Sequence, residues 1–310
     1  MRTHKYLFGP VASRRFGRSL GVDLLPLKTC TLDCVFCQLG RASSSNPNRE
    51  EYVPTQDVLA ELGYWLHYGG QADFITLSGS GEPTLHTRFG EVLEFIKAQT
   101  LIRSLLLTNG TLLHMPEVRQ AACVANVVKV SLSAWDQVSF ERVNRPPAGI
   151  TFDKLLQGER DFRAAFSGEL WMEVFVIAGI NSAPRDMDKI ARLAGEIGPD
   201  RIQLNTVARP PAEEFALAVP REEMQSLSRL FDPPAEVVAE YRAAHKTGRP
   251  MDTEAILAML RRRPCTAEQI AEAFDLQVNE VAKCVGELRK ADKIREDRRQ
   301  RQTYYIVIGE

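Results

Sequence analysis

The chain has 310 residues, with 39 lysines and arginines against 40 aspartates and glutamates and a formal net charge of −1. Near-neutrality excludes polyanion binding by bulk charge, and 44% hydrophobic residues exclude a largely disordered chain. The length suits one large α/β domain plus a small one. No apolar run reaches membrane-spanning length, and no apolar signal core follows Met1-Arg2-Thr3-His4-Lys5-Tyr6. A cytoplasmic protein with reduced thiols and no membrane partner is expected.

Through about residue 205, short apolar runs alternate with helical patterns, as in βα units around a parallel sheet. Strands are expected at 22–25, 74–77, 104–108, 127–131, 170–177 and 201–205. Helices are expected at 55–67, with Thr55 as N-cap after Pro54, and at 87–97, 116–122, 152–165 and 185–195. Six such repeats predict an α/β partial (β/α)6 barrel over residues 1–210, with its site at the C-terminal strand ends. Residues 211–250 are expected to be a helical extension and linker, with helices at 221–230 and 235–244 before Lys246-Thr247-Gly248-Arg249-Pro250. Residues 251–310 show helices at 254–262, after a Thr266 cap, and from the turn at 275–277 to Leu288. Strands at 293–297 and 303–307 follow, so this part predicts a C-terminal winged helix-turn-helix domain.

The chemistry concentrates in Cys30-Thr31-Leu32-Asp33-Cys34-Val35-Phe36-Cys37, a C-x3-C-x2-C array after the first expected strand. Iron–sulfur clusters are normally held by four cysteines, so three thiolates on one loop leave one iron for a small molecule. A zinc site is the competing reading and would want a fourth Cys or His; His67 and His86 lack finger-like spacing. Six cysteines in 310 residues are too few for a disulfide scaffold. Phe36 is placed to shield the array, and Asp33 is expected to point toward Lys28 or an N-terminal arginine. The second strand ends in Ser78-Gly79-Ser80-Gly81-Glu82-Pro83, where glycines permit close approach of a ligand or form a simple turn. Cys123 reads as core, Cys284 as the apolar side of a helix and Cys265 as a helix start. No auxiliary cluster and no histidine ligand are expected.

The array with its aromatic, followed by Ser80-Gly81-Glu82-Pro83, resembles the radical S-adenosylmethionine (SAM) superfamily over roughly residues 22–205. The resemblance implies that Cys30, Cys34 and Cys37 bind a [4Fe–4S] cluster whose open iron is chelated by SAM. It places Phe36 near the adenine and Gly81, Glu82 and Pro83 at the methionine amino group; Ser80 stands where the family has a glycine. Ser131 and Ser133 fall near the ribose and carboxylate, or are ordinary strand-end serines. Ile177 falls in the apolar stretch beside the adenine, and Asn205 faces the site. The Gly9–Gly21 segment and Asn144-Arg145-Pro146 are similar to a stand-alone subgroup near the tRNA wybutosine-synthesising enzymes, whose extra N-terminal cysteines this chain lacks before Cys30.

Substrate candidates are Arg14, Arg15 and Arg18, suited to planar anions or else a solvated loop paired with Asp23 or Asp33. Arg145, Arg209 and the turn residue Asn109 join them. The implied activity is an enzyme that cleaves SAM to a 5′-deoxyadenosyl radical, which abstracts hydrogen from an unidentified substrate, RNA or protein. A flavodoxin or ferredoxin is the implied low-potential electron donor. The alternatives are a glycyl-radical activase and an iron–sulfur redox-sensing regulator that binds nucleic acid. Residues 251–310 carry eleven basic and eleven acidic side chains, with basic ones clustered at Arg295, Arg298, Arg299 and Arg301. Those arginines suit phosphates or docking on a peptide, a protein or the barrel.

Overall fold

The computed structural model describes residues 4–13, 16–41, 48–238, 253–274, 276, 278–299 and 302–308. Eight strands form one sheet in chain order: β1 (Leu7–Ser13), β2 (Gly17–Val22), β3 (Phe74–Leu77), β4 (Arg103–Leu107), β5 (Val127–Ser131), β6 (Glu169–Val176), β7 (Arg201–Thr206) and β8 (Glu236–Val237). β1 runs antiparallel to β2, and β2 through β8 are parallel. The connections carry α1 (Thr55–His67), α2 (Phe89–Gln99), α3 (Pro116–Ala122), α4 (Gln137–Asn144), α5 (Phe152–Ala165), α6 (Pro184–Ile197) and α7 (Arg221–Ser228). This is the α/β partial-barrel architecture that the alternating pattern implies, because parallel strands need helical crossovers and so become buried on both faces.

The two faces of the sheet differ. Leu20, Ile75, Leu106, Val128 and Met172 meet helix residues such as Val58, Leu93, Phe162 and Ile190 in the main core. The other face begins with an apolar plug of Phe16, Phe74, Leu105, Val127 and Trp171. Toward the C-terminal strand ends that face turns polar. Ser19 bonds Thr76 at 2.7 Å, and Lys129 Nζ donates to Glu173 at 2.6 Å and Gln203 at 3.0 Å.

Several elements depart from expectation. The strand expected at 22–25 lies at Gly17–Val22, because Gly17, Ser19 and Gly21 mask its periodicity. A Cβ on Gly21 would stand 2.0 Å from the Phe8 ring, so this small residue leaves room for the neighbouring strand. Thr55 is the first helical residue rather than the cap; Pro54 is the N-cap, and the Thr55 amide donates to Glu51 at 2.7 Å. The helix expected at 235–244 is replaced at its start by β8, which pairs with Gln203 and Leu204. The rest of that range and residues 246–250 lie outside the described residues. β1 and α4 were not expected; α4 starts at a capping box of Asp136 and Ser139.

After the sheet come α8 (Thr253–Arg262), α9 (Ala267–Phe274) and α10 (Val278–Lys290), then an antiparallel pair, β9 (Ile294–Arg299) and β10 (Gln302–Val307). Ile256, Leu260, Ile270, Val281, Val285 and Ile294 form a core of their own, which also takes in Val11 of β1. The module therefore leans on the antiparallel edge strand. Cys265 and Cys284 are buried within it, and Cys123 packs half-buried against the main core. Among the described residues no helix is long and apolar enough to cross a membrane.

Candidate functional site

The cysteine loop leaves the C-terminal end of β2 and is held from three sides by backbone hydrogen bonds. The Asp33 and Val35 amides donate to the Asn144 and Val143 carbonyls at the end of α4, at 3.1 and 3.0 Å. The Glu213 amide donates to Val35 at 3.0 Å, and Thr29 bridges Gly81 beyond β3. Cys30, Cys34 and Cys37 are unpaired with one another and half-buried. Each keeps some accessible surface, yet the sulfurs sit in a poorly solvated environment. Burial pushes the Cys30 thiol up to about 12, with the nearby Glu82 charge adding to it. Burial also raises Cys34 well above the usual thiol range, reinforced by Cys30 and Cys37, and raises Cys37. A cation in this space would therefore replace protons on the thiols. Among the described residues no three His, Cys, Asp or Glu side chains converge on one metal position. The three thiols nevertheless act on one another electrostatically.

Two amides serve these sulfurs. Asn144 Nδ2 donates to Cys34 Sγ at 3.3 Å, and Asn109 Nδ2 donates to Cys30 Sγ at 3.5 Å and to Thr31 at 2.9 Å. Asn109 is thus both a turn residue, accepting from Thr111 at 2.7 Å, and a brace on the loop.

The segment after β3 packs against this loop. A Cβ on Gly81 would lie 1.7 Å from the Thr29 carbonyl oxygen, so only glycine permits the contact. Glu82 is 2% exposed. Its Oε1 accepts from the Thr84 amide and hydroxyl and from Thr108 Oγ1, and its Oε2 accepts from the Asn109 amide at 2.7 Å. Burial raises its pKa against the pull of those donors. A carboxylate offers about four acceptor sites, and Oε2, with a single donor among the described residues, keeps room for another. Pro83 opens a single 3-10 turn that Glu82 caps.

An aromatic pair flanks the array. Phe36 stacks on Phe175 with ring centroids 4.0 Å apart and planes 10° from parallel. Beneath them Ile177 is fully buried with Val35, Val143 and Ala216, so it supports the rings and exposes no atom itself. Ser133 Oγ accepts from the Phe175 amide at 3.0 Å, and Asn181 Nδ2 donates to the Ser133 and Phe175 carbonyls at 2.9 Å each. Ser131 is half-buried at the end of β5. Asn205 donates to Glu173 Oε2 at 3.3 Å inside the barrel.

The arginines separate. Arg209 Nη1 donates to Gln38, next to Cys37, at 3.3 Å. Arg145 Nη1 binds Glu213 at 2.5 Å, joined by Arg41 at 2.6 Å, and both hold that carboxyl below its usual range. Arg18 does not reach the cysteine loop: it is the second residue of β2, near the opposite strand end, and donates to the Gln71 carbonyl at 3.1 Å. The order of strand and loop dictates that separation. Arg14 and Arg15 lie outside the described residues.

A cavity of about 1160 Å³ lies between the inner face of the barrel and the C-terminal module. Ser19, Thr76 and Asn205 line it on one side, Gln269 and Tyr304 on the other, and Arg209 connects it to the cysteine loop. The cysteines themselves do not line it.

Residues 24–194 match the radical SAM superfamily. This chain belongs to that superfamily. Radical SAM enzymes use a [4Fe–4S] cluster and SAM, and the donor set here fits both: three neighbouring thiols, and a buried carboxylate beside an aromatic pair. A UPF0026 protein of Synechocystis sp. is 39% identical over 67% of this chain and 77% of its own length. A GTPase Obg of Brachyspira hyodysenteriae is 34% identical over 94% of this chain, which spans 44% of that protein. This chain contains no G-x4-G-K-[ST] phosphate loop. The crystal structure of a radical SAM methyltransferase from Sphaerobacter thermophilus superposes with a TM-score of 0.54 and 18% identity, covering 71% of this chain and 65% of that one, a likeness of fold.

Proposed function

We propose that this chain is a radical SAM enzyme that holds one [4Fe–4S] cluster on Cys30, Cys34 and Cys37 and acts on a substrate lodged in the chamber below the C-terminal module. The observation that carries the reading is the loop itself. Its three thiols lie close enough to interact electrostatically, two of them accept from Asn109 and Asn144, and a three-cysteine set leaves one iron of a four-iron cluster open for a small molecule. When bound, the cluster and SAM supply hydrogen-atom abstraction through a 5′-deoxyadenosyl radical.

The residues divide the remaining work. Glu82 Oε2 would accept from the methionine ammonium, and Gly81 would let the backbone approach. Phe36, backed by Phe175 and seated on Ile177, offers a flat apolar wall to the adenine. Asn109 and Asn144 donate to Cys30 Sγ and Cys34 Sγ, contacts that would tune the reduction potential of a cluster held on those thiolates. Pro83 sets the turn after Glu82, and Ser133 fixes Phe175. Asn205 and Arg209, which line the chamber, belong to the substrate side, with Arg209 as the anion anchor, and Ser131 at the end of β5 stays with the SAM ribose and carboxylate. A low-potential flavodoxin or ferredoxin supplies the electron.

The domain limits follow the same reading: barrel at 1–210, extension at 211–250, winged helix at 251–310. Arg298 is 3.5 Å from Glu296, and Arg299 is 3.0 Å from Asp297. That internal pairing weakens a phosphate-binding wing, while Gln269 and Tyr304 face the chamber. Both favour a module that covers the chamber and meets a peptide or protein.

Anaerobic reconstitution tests the cluster reading. We expect about four irons per chain, loss of iron in Cys34→Ala, and a changed electron paramagnetic resonance spectrum of the reduced cluster on adding SAM. One tightly held zinc per chain would contradict it.

A further inference from the structure

We propose that Asp23 and Arg262 are positioning residues that couple docking of the C-terminal module to the Ser80-Gly81-Glu82-Pro83 segment, so that SAM binding and docking strengthen one another. The inference rests on the reading that this segment meets SAM. Arg262, at the end of α8, reaches across 239 positions of sequence to donate from Nε to Asp23 Oδ2 at 2.9 Å. Its guanidinium carbon lies 4.5 Å from the centroid of the Phe8 ring, and its Nη1 is fixed by the Ala258 carbonyl at 2.8 Å. Asp23 in turn accepts from the Ser80 amide at 3.0 Å and from the Ser80 hydroxyl at 2.7 Å.

The arrangement has marks of a built contact. The Asp23 and Arg262 side chains are 7% and 14% exposed, so solvent screens the pair little. A Cβ on Gly79 would stand 2.4 Å from the Asp23 carboxyl carbon, which shows that the chain after β3 has closed around this carboxylate. The Ser80 hydroxyl exists only because serine stands where the family has glycine. It adds a second bond from the segment to the same carboxylate that holds the module.

Removing the guanidinium leaves Asp23 buried with Ser80 as its remaining hydrogen-bond donor among the described residues. The carboxylate must then turn toward water, taking the Ser80 amide with it. That amide lies one residue before Gly81, whose backbone sits against Thr29 beside Cys30. The path therefore ends at the cysteine loop, and by linkage an effect in one direction requires the same effect in the other.

Two measurements on the reconstituted full chain test the coupling: the dissociation constant for SAM by calorimetry, and hydrogen exchange of residues 78–83 and 253–274. In the wild type, SAM should slow exchange in 253–274. Arg262→Ala should weaken SAM binding about tenfold, within the usual span of coupled sites, and speed exchange in 78–83 while iron content is retained. Arg262→Lys, which keeps the charge, should recover part of both. Unchanged affinity and exchange in Arg262→Ala would overturn the proposal. A wild type with its cluster that binds no SAM would instead overturn the SAM reading of the segment, and exchange of 78–83 in Arg262→Ala would still decide whether the module and segment are coupled. If Arg262→Ala loses its iron, Arg262→Lys decides, since wild-type behaviour there would equally remove any need for the Nε bond.

Discussion

At Gly81 two loops approach until the Thr29 carbonyl occupies the place of a side chain. Gly81→Ala must push the segment off the cysteine loop, and we expect its reconstituted iron content to fall close to that of Cys34→Ala. Iron at the wild-type level would show that the contact does not hold the loop. Asn144→Ala should act more gently: it removes one donor to Cys34 Sγ and should shift the cluster's reduction potential with iron retained. The array itself was legible in sequence by its spacing, since Cys30, Cys34, Cys37 and Phe36 lie within eight positions. The contacts of Asn144, Phe175, Asn181 and Asp23 were not, because Asn144 meets the loop, Phe175 and Asn181 form or brace its aromatic wall, and Asp23 holds Ser80 through tertiary contacts alone. Asn144 lies 110 residues from its sulfur, and the Asn144-Arg145-Pro146 segment gives no local sign of that contact. Arg18 fails for the converse reason. Nearness in sequence to the cysteines placed it at the wrong end of a strand.

Most helices and strands were readable at the scale of elements. α1, α3 and α5 have the expected limits, as do β3 and β5. Failures came where small or polar residues hide the period, as in β2, or where a short helix such as α4 depends on its cap. α5 carries a further signal: Phe152, Leu155, Leu156 and Phe162 mark its apolar face, and Glu159 falls on it fully buried. Neither carboxyl oxygen has a hydrogen-bond partner among the described residues, and burial raises its pKa well above 4.5. The folded chain keeps a proton there that the unfolded chain releases above 4.5. This term is therefore least costly below that pH and increasingly destabilising as pH rises above it. Glu159→Met should raise stability at neutral pH by about 1–3 kcal/mol and flatten the decline as pH rises above 4.5, as followed by urea unfolding. An equal or steeper decline would contradict this account of the helix.

The whole molecule combines an open barrel with a module set against its first strand, and the polar chamber between them was not visible in sequence. Lys129 is the informative residue: a lysine in an apolar strand whose ammonium, 3% exposed, turns inward to Glu173 and Gln203. Lys129→Met should cost about 3–5 kcal/mol by leaving a carboxylate poorly compensated, and adding Glu173→Leu should recover most of it. Fully additive losses in the denaturation midpoints would show that the pair does not act as a unit. Three helices and a strand pair in the last sixty residues were legible as alternating elements, but their seat on Val11 and their hold on Asp23 were not. Those contacts join segments more than two hundred residues apart and follow from the packed molecule alone.

The central claim is that the cysteine loop and the Gly81-Glu82 segment together serve SAM chemistry. The most direct measurement is 5′-deoxyadenosine released from SAM by the anaerobically reconstituted chain under dithionite, with Cys34→Ala alongside. We expect product from the wild type and none above background from the variant. A wild type with its cluster intact that yields no product, or product that persists in Cys34→Ala, would contradict it.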